Sequence, residues 1–312
     1  MAALNMQKLA VDVLLREEEI AAELEAALSH RFLNEKFFYW LPPSVRAWVD
    51  LTRSTEYRNA NRAIEVLKAN AAALEKKWAG AQVLCSIGCG EGSKDRVLLE
   101  AFAAAGRLLK YVAADFSQAL LELALIGGES ITQARQGVKL DVARDEHLQA
   151  LAQDGTCMFA VLGNTLGAFD PHRFPGRIRR IMKENDVALF DGEVFDESTT
   201  LAGYDNPTNR RFAFSPLAGL GLTKDDGELR FELQRGKAGI HEVVKYFVAR
   251  RDLELRAGGK TVKLNAGEKI LMSSSIKYDE KVFYSLLDAA GFKIEFSAKS
   301  SDGKFMLAGA RG

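Results

Sequence analysis

The pattern of apolar and polar positions changes near residue 80. Before that point, apolar residues recur at helical spacing, which predicts one helix over residues 6–29 and another from about Asn61 to Trp78. No stretch in this part has the alternation or the short apolar run of a strand. We therefore expect residues 1–78 to be helical and to form the N-terminal part of a separate lobe.

Short apolar runs alternate with amphipathic segments from residue 82 onward, which predicts strands alternating with helices. The predicted strands are "AQVLCSIG", "LKYVAADFS", "VKLDVA", the start of "CMFAVLGNTLGAF" and the end of "PGRIRRIMKENDVALFDGEVF". This order is typical of βαβ units and a parallel sheet, whose loops after the strands share one ligand-binding edge. The fold class is α/β and Rossmann-like, with a core over residues 79–199.

The alternation stops over residues 200–272, where a loop with a short helix precedes alternating strands joined by glycine turns. We interpret this segment as an inserted α+β lobe. Residues 273–312 predict a helix and two strands around the Asp302-Gly303 turn, which complete the core sheet. The N-terminal helices and the insertion each lack an obvious complete core, so we expect them to meet as one lid over the ligand edge.

Composition narrows the class of partner. Lys+Arg and Asp+Glu both number 42, so the chain lacks the basic excess typical of proteins that coat nucleic acid or anionic membranes. No apolar window approaches a membrane span, and the charged N-terminus is unlike a signal peptide. Three cysteines favour a reducing, cytoplasmic setting over a disulfide framework. A small molecule is therefore the expected partner.

Cys85 and Cys89 have a spacing found among metal ligands, but no second pair follows and the four histidines are isolated. A structural zinc site needs four ligands. We therefore predict no metal and interpret both cysteines as small core residues beside a tight turn.

Three glycines, Gly88, Gly90 and Gly92, follow the first predicted strand. Glycines there allow the backbone to approach a ligand closely. The loop is neither a Walker motif nor a regular G-x-G-x-x-G, because Ser93 occupies the last glycine position. By itself the loop is consistent with a nucleotide site or with a simple turn.

Two carboxylates support a nucleotide site. Asp115 ends the second strand, where it could accept hydrogen bonds from ribose hydroxyls, and Asp141 follows the third, where it could accept one from an adenine amino group. Each could instead be a helix cap. The glycine loop, Asp115 and Asp141, in this order on three successive strand ends, resemble the pattern of S-adenosylmethionine-dependent methyltransferases. An enzyme that binds a dinucleotide has less need for the third of these, Asp141.

Five stretches resemble the histidine-specific methyltransferase family, whose members methylate amino groups of histidine or of a prenylated tryptophan. They are "EYRNANRA", "SIGCGEGSKDRVLLEAF", "YVAADFS", "VLGNTLGAF" and "SSSIKYDEKVFYSLLDAAGF". The resemblance covers roughly residues 40–310 and implies S-adenosylmethionine as the cofactor and a small amine or amino acid as the substrate.

The resemblance implies two groups of site residues. The cofactor group is Gly88, Gly90, Lys94, Asp115, Ser117 and Asp141. The substrate group is Tyr39, Tyr57, Asn164, Ala168, Asp205, Ser273 and Ser275, with Tyr57 and Tyr204 as catalytic candidates. For Lys94 the alternative is a solvated lysine in the first turn of a helix, and for Tyr57 an ordinary packing aromatic.

Three positions depart from the family pattern. The asparagine that holds the amino acid is Ala168 here, the glutamate that binds the imidazole is Ser273, and the tyrosine motif reads Glu56-Tyr57-Arg58 without its proline. We therefore expect an N-methyltransferase that acts on an amine other than histidine, in a roomier and less polar pocket.

Two alternatives belong to other classes. One is a cofactor-binding protein of the same fold without catalysis. The other is an NAD-dependent oxidoreductase, for which no hydride-transfer acid or base is identifiable.

Overall fold

The structure is a computed structural model that describes residues 9–312. The strands are β1 Val11–Val13, β2 Val83–Ile87, β3 Lys110–Asp115, β4 Arg135–Lys139, β5 Cys157–Val161, β6 Val187–Glu193, β7 Gly227–Gln234, β8 Ile240–Ala249, β9 Leu253–Ala257, β10 Lys260–Leu264, β11 Lys269–Tyr278, β12 Lys293–Lys299 and β13 Phe305–Arg311. The α-helices are α1 Glu17–Ser29, α2 Pro42–Thr52, α3 Arg58–Lys77, α4 Ser93–Ala104, α5 Gln118–Gly127, α6 Asp145–Gln149, α7 Phe174–Ile181, α8 Thr200–Tyr204, α9 Pro207–Gly219 and α10 Glu280–Ala289.

The largest sheet has the strand order β1-β4-β3-β2-β5-β6-β13-β12. Strands β1 to β6 pair in parallel, whereas β13 is antiparallel to β6 and β12 is antiparallel to β13. The predicted α/β, Rossmann-like fold is thereby confirmed. The chain changes direction across the sheet between β2 and β5, and in open parallel sheets ligands bind outside the strand ends at such a point.

Helices cover both faces of this sheet. Alternate residues of a strand point to opposite faces, so Val83, Cys85 and Ile87 join one buried cluster while Leu84 joins the other. The first cluster includes residues of α6, α7 and α10, and the second includes residues of α3, α4 and α5. Burial on both faces explains why the central strands β2 and β5 are nearly continuous apolar runs.

The N-terminus differs from the prediction of one helix over residues 6–29. Residues 1–8 lie outside the described range, Val11–Val13 is a strand, and the helix begins only at Glu17. The strand pairs with the edge strand β4, and the backbone N–H of Leu14 donates to Lys139 at 3.0 Å. Pairing with an open sheet edge therefore overrides the helical spacing. The prediction of no strand before residue 80 is wrong.

A second lobe contains the sheet β11-β8-β7 and the hairpin β9-β10. One buried cluster joins residues of α1 and α2 to residues of α9 and the lobe strands, among them Leu24, Leu51, Phe212, Leu255 and Ile270. The two distant segments thus share a core, as predicted for a joint lid.

The lobe boundaries differ from the expected ones. Helix α3 packs on the large sheet through Leu67 and Leu74, and Trp78 directly after it does the same, so the N-terminal region is divided between the two cores. Strand β11 runs across residue 272 and stays in the lobe sheet up to Tyr278. Strand β4 ends at Lys139, earlier than the predicted "VKLDVA", so Asp141 lies in the loop that follows it.

Candidate active site

A cavity of about 1380 Å³, including the space at its mouth, lies between the carboxyl ends of β2 to β5 and the lobe. We call its two parts the strand end and the lobe end. The strand end is formed by Gly88, Gly90, Lys94, Asp115, Asp141 and Gly163, and the lobe end by Glu35, Tyr39, Trp48, Tyr57, Tyr204, Phe212 and Lys245. Asn164, Ala168 and Ser275 also line it.

Asp115 organises the glycine loop at the strand end. Its carboxylate accepts the backbone N–H of Gly90 at 2.9 Å and that of Ser117 at 2.8 Å. Burial raises the pKa of Asp115 to about 6, although these N–H groups oppose the shift. The carboxylate faces the cavity, and binding of further hydroxyl donors there would favour its ionised form.

Lys94 lines the strand end from the first turn of α4 and is 8% exposed, which argues against a solvated lysine. No acceptor among residues 9–312 lies within hydrogen-bond distance of its ammonium. Gly163 makes room for the side chain, because a Cβ at Gly163 would lie 2.9 Å from the lysine Cε. Gly163 also has a φ of +84°, a conformation that favours glycine.

Asp141 is already paired on the protein side. Its carboxylate forms an ion pair with Lys36 at 2.6 Å and accepts the backbone N–H of Ala143 at 2.8 Å. Ser117, predicted as a cofactor residue, caps α5 by accepting the N–H of Leu120 at 3.4 Å. Its side chain therefore supports the loop from behind the cavity wall.

Aromatic side chains form one wall of the lobe end. The ring centroid of Trp48 lies 5.1 Å from Tyr39, 5.3 Å from Phe212 and 6.0 Å from Tyr57. Burial raises the pKa of Tyr57 far above its usual range, so this tyrosine stays a neutral phenol. This aromatic wall is suited to a compact, partly apolar ligand.

A hydrogen-bond network lies behind the opposite wall. Tyr204 donates to Glu193 at 3.0 Å, and Asn59 donates to the same carboxylate at 2.6 Å. Burial lowers the pKa of Lys277, but its ion pair with Glu193, 3.1 Å long, opposes the shift. The network holds Tyr204 in place, with its proton committed to Glu193.

Asn164 and Ser275 meet at the edge of this wall, where the Asn164 amide donates to the Ser275 hydroxyl at 3.3 Å. The backbone N–H of Asn164 also donates to Asp191 at 2.7 Å. Burial raises the pKa of Asp191 to about 6 despite this bond. Both side chains are thus fixed at the cavity surface.

Two predicted substrate residues lie elsewhere. Asp205 pairs with Arg210 at 2.6 Å outside the cavity. Ser273 is buried in an irregular part of β11 with a φ of +81°, and its hydroxyl has no hydrogen-bond partner among the described residues. Ala168 does line the cavity. The departure at position 168 therefore changes the cavity wall directly, whereas that at Ser273 lies behind it.

The structure brings in residues that the sequence did not single out as site residues. They are Glu35, Lys36, Trp48 and Lys245. Glu35 and Lys245 add charge to the lobe end, which the expectation of a less polar pocket did not include. The aromatic cluster around Glu35 was a signal in the sequence, but Lys245 lies in an ordinary alternating strand and carried none.

Among residues 9–312, no group of three or more potential metal-binding side chains is found. Within the same range, no helix combines the length and apolar character needed to cross a membrane. The three cysteines are buried and unpaired.

The strand end fits S-adenosylmethionine. Close approach at the glycine loop, a buried carboxylate and a buried ammonium complement the hydroxyls and the amino acid part of that molecule. Asp115 supplies acceptors and Lys94 supplies donors, and both side chains line the same cavity.

Comparison with known proteins agrees with this fit. The chain is 26% identical over 278 residues to the histidine N-alpha-methyltransferase of Mycobacterium tuberculosis, covering 83% of this chain and 84% of that protein. It is 24% identical over 270 residues to the N-methyltransferase fsqC of Aspergillus fumigatus, covering 80% and 74%. The solved CcbJ methyltransferase from Streptomyces caelestis matches with a TM-score of 0.41 and 11% identity, covering 79% and 89%.

A family model described as "Histidine-specific methyltransferase, SAM-dependent" matches residues 16–311, nearly the whole chain. The match includes both the strand end and the lobe end of the cavity. The chain therefore belongs to the histidine-specific, S-adenosylmethionine-dependent methyltransferase family.

Proposed function

We propose that the chain transfers a methyl group to the amino nitrogen of a small amine or amino acid other than histidine. The observation that carries this proposal is Ala168, whose methyl side chain lines the cavity where the family has an asparagine that holds the amino acid. A site without that amide cannot form the same hydrogen bonds, so histidine loses an anchor there.

S-adenosylmethionine is the cofactor of this methyltransferase. When bound, it supplies an electrophilic methyl group on a sulfonium sulfur. In the proposed arrangement, the Asp115 carboxylate accepts hydrogen bonds from the ribose hydroxyls of the cofactor. Lys94 pairs with the carboxylate of the cofactor's amino acid part. Asp141 lies at the adenine side, where it is paired with Lys36.

At the lobe end, Tyr57 and Tyr204 hold the reacting amine. Burial keeps both tyrosines neutral, since it raises the pKa of each well above its usual range. Tyr204 donates its proton to Glu193, and its oxygen already accepts the Asn59 amide at 3.2 Å, so one lone pair remains to accept an amine N–H. Two such acceptors aim the nitrogen lone pair at the methyl carbon, and alignment of this kind is the main contribution of a protein to an in-line displacement.

The bonds balance without a covalent enzyme intermediate. With S-adenosylmethionine bound, the nitrogen lone pair would form the N–C bond as the S–C bond breaks. S-adenosylhomocysteine would leave with the S–C electron pair, and the extra proton on nitrogen would pass to solvent water. The amine must enter the reaction unprotonated. Removal from water in the cavity disfavours an ammonium, whereas the rings of Tyr39, Trp48 and Phe212 and the Glu35 carboxylate favour one.

The test is a mass-spectrometric screen of amino acids and biogenic amines with methyl-labelled S-adenosylmethionine. We expect label on the nitrogen of at least one amine and little on histidine. Efficient methylation of histidine would contradict the substrate proposal. Intact cofactor binding without any labelled product would favour a binding protein without catalysis.

Ala168→Asn is the matched variant, since the new amide would line the cavity. We expect it to raise kcat/KM for histidine about fivefold relative to the unaltered protein, the effect of one added neutral hydrogen bond. Ser273→Glu is a poorer test, because a longer side chain would enter a buried site with positive φ.

A further inference from the structure

Two buried lysines at the lobe end differ in how their ammonium groups are satisfied. Lys277 is completely buried and has three acceptors: Glu193 at 3.1 Å, the Ser275 hydroxyl at 2.6 Å and the backbone carbonyl of Ile276 at 3.1 Å. An ammonium has three protons, so each has a partner. Lys277 therefore has no capacity left for a ligand.

Lys245 lies nearby on β8 and its side chain is only 5% exposed, yet it has no hydrogen-bond acceptor among residues 9–312. Its nearest carboxylate oxygen, on Glu35, is 3.8 Å away, which is too long for a hydrogen bond. The ammonium lies 5.1 Å from the ring centroid of Phe38 and lines the cavity. Its ammonium is thus free to donate to a group in the cavity.

Glu35 balances the charge of Lys245 without occupying its protons. One of its oxygens accepts the Tyr39 hydroxyl at 3.2 Å, and the other is buried without a hydrogen-bond partner among the described residues. The Lys245 side chain therefore lines the cavity beside a carboxylate that does not occupy its protons.

We propose that Lys245 binds a carboxylate of the substrate, so that the methyl-accepting amine is an amino acid. This inference rests on the proposed function and names the substrate class for the same cavity. A buried cation is costly unless it is paired, and a ligand carboxylate supplies a strong, charge-assisted partner. Lys245 would thereby supply part of the substrate anchoring that Ala168 cannot provide.

The carboxylate could be the α-carboxylate or one on the side chain, and two sets of probes distinguish these sources. The first compares tryptophan with tryptamine and tyrosine with tyramine, which differ in the α-carboxylate. The second compares glutamate with glutamine, which differ in the side-chain carboxylate. Binding of each probe is measured by calorimetry with the protein saturated with S-adenosylhomocysteine, and methyl transfer is measured in parallel.

We expect the acid of at least one pair to bind about 10- to 100-fold more tightly than its partner, as for a hydrogen bond to a charged group. Lys245→Met, which keeps the length and removes the charge, should reduce that preference to within about threefold. Lys245→Arg should retain most of it. Equal S-adenosylhomocysteine affinity in both variants would show that the fold and the strand end are intact; if Lys245→Met does not fold, Lys245→Gln takes its place.

The inference is overturned if no acid binds more tightly than its partner, or if the preference survives in Lys245→Met. In either case, methyl transfer to the uncharged amines would leave the proposed function standing. Loss of methyl transfer to every probe, with the binding preference present, would instead count against the proposed function alone.

Discussion

The two ends of the cavity differ in how the chain builds them. At the strand end, Asp115 and Asp141 follow consecutive parallel strands, and backbone N–H groups of the loops hold their carboxylates. At the lobe end, Tyr39, Phe212 and Lys245 come from three segments that are far apart in the chain. One end is set by the geometry of a sheet, the other by packing between distant segments.

This difference affects which end of the cavity tolerates substitutions. The carboxylates at the strand end also hold the loops in shape, so replacing one disturbs the backbone as well as a ligand contact. Ala168 and Lys245 line the cavity, and no hydrogen bond from the Lys245 side chain to another of residues 9–312 is found. Substrate choice can therefore change at the lobe end while the cofactor site is preserved.

The largest effect should follow from a change at the strand end. Asp115→Ala removes the proposed acceptor of two ribose hydroxyls, so we expect a loss of about 2–3 kcal/mol in S-adenosylmethionine binding, roughly 30- to 150-fold in Kd. Calorimetry measures it directly. Asp115→Asn, which keeps one acceptor, should lose less. Unchanged affinity in the alanine variant would remove Asp115 from the cofactor site.

The pH dependence of cofactor binding should be next in size. The Asp115 carboxyl has a pKa raised to about 6 by burial, and hydroxyl donors favour its ionised form. As the pH falls through 6, a proton must be displaced before binding, so affinity should drop about tenfold between pH 7 and pH 5. Calorimetry across this range tests it.

Asp191 has a pKa near 6 as well, so the unaltered protein alone does not identify the group responsible. Asp115→Asn is the control, because its affinity should vary little over the same range. A slope that persists in this variant would assign the titration to another group.

The smallest effect should come from the lobe end. Tyr57→Phe keeps the aromatic packing against Trp48 but removes the proposed hydroxyl acceptor, so we expect kcat/KM to fall about threefold to tenfold. Cofactor affinity should not change. A comparable loss of S-adenosylmethionine binding would mean that the two ends are not separable.

The strand end was predictable from the sequence because local order determines it. A glycine loop and two aspartates after successive apolar runs must share one edge of a parallel sheet. Lys94 was assigned by resemblance, and the structure adds the reason, the missing Cβ at Gly163. The pairing of the three-residue strand β1 with β4 was not predictable, because the helical spacing of the surrounding residues obscured it.

The lobe end was only partly predictable. The sequence indicated that two apolar-rich segments need each other, and the shared core confirms it. It did not indicate which side chains face the cavity, because this depends on contacts between distant segments. Lys245 and Ser273 show the problem in both directions: one was overlooked and faces the cavity, the other was selected and is buried behind it.

The shared core of the lobe has a consequence for synthesis of the chain on the ribosome. Parallel strands β2 to β6 and helices α4 to α7 have emerged once Glu193 has, although α10 and β13 complete one face of the sheet later. The loops of the strand end are therefore made early. Leu24 in α1, in contrast, belongs to a core completed only by strands that run to Tyr278. Until those strands emerge, the apolar face of the first helix has no partner, and a nascent chain must keep it from aggregating. Methyl transfer is thus among the last properties that a growing chain acquires.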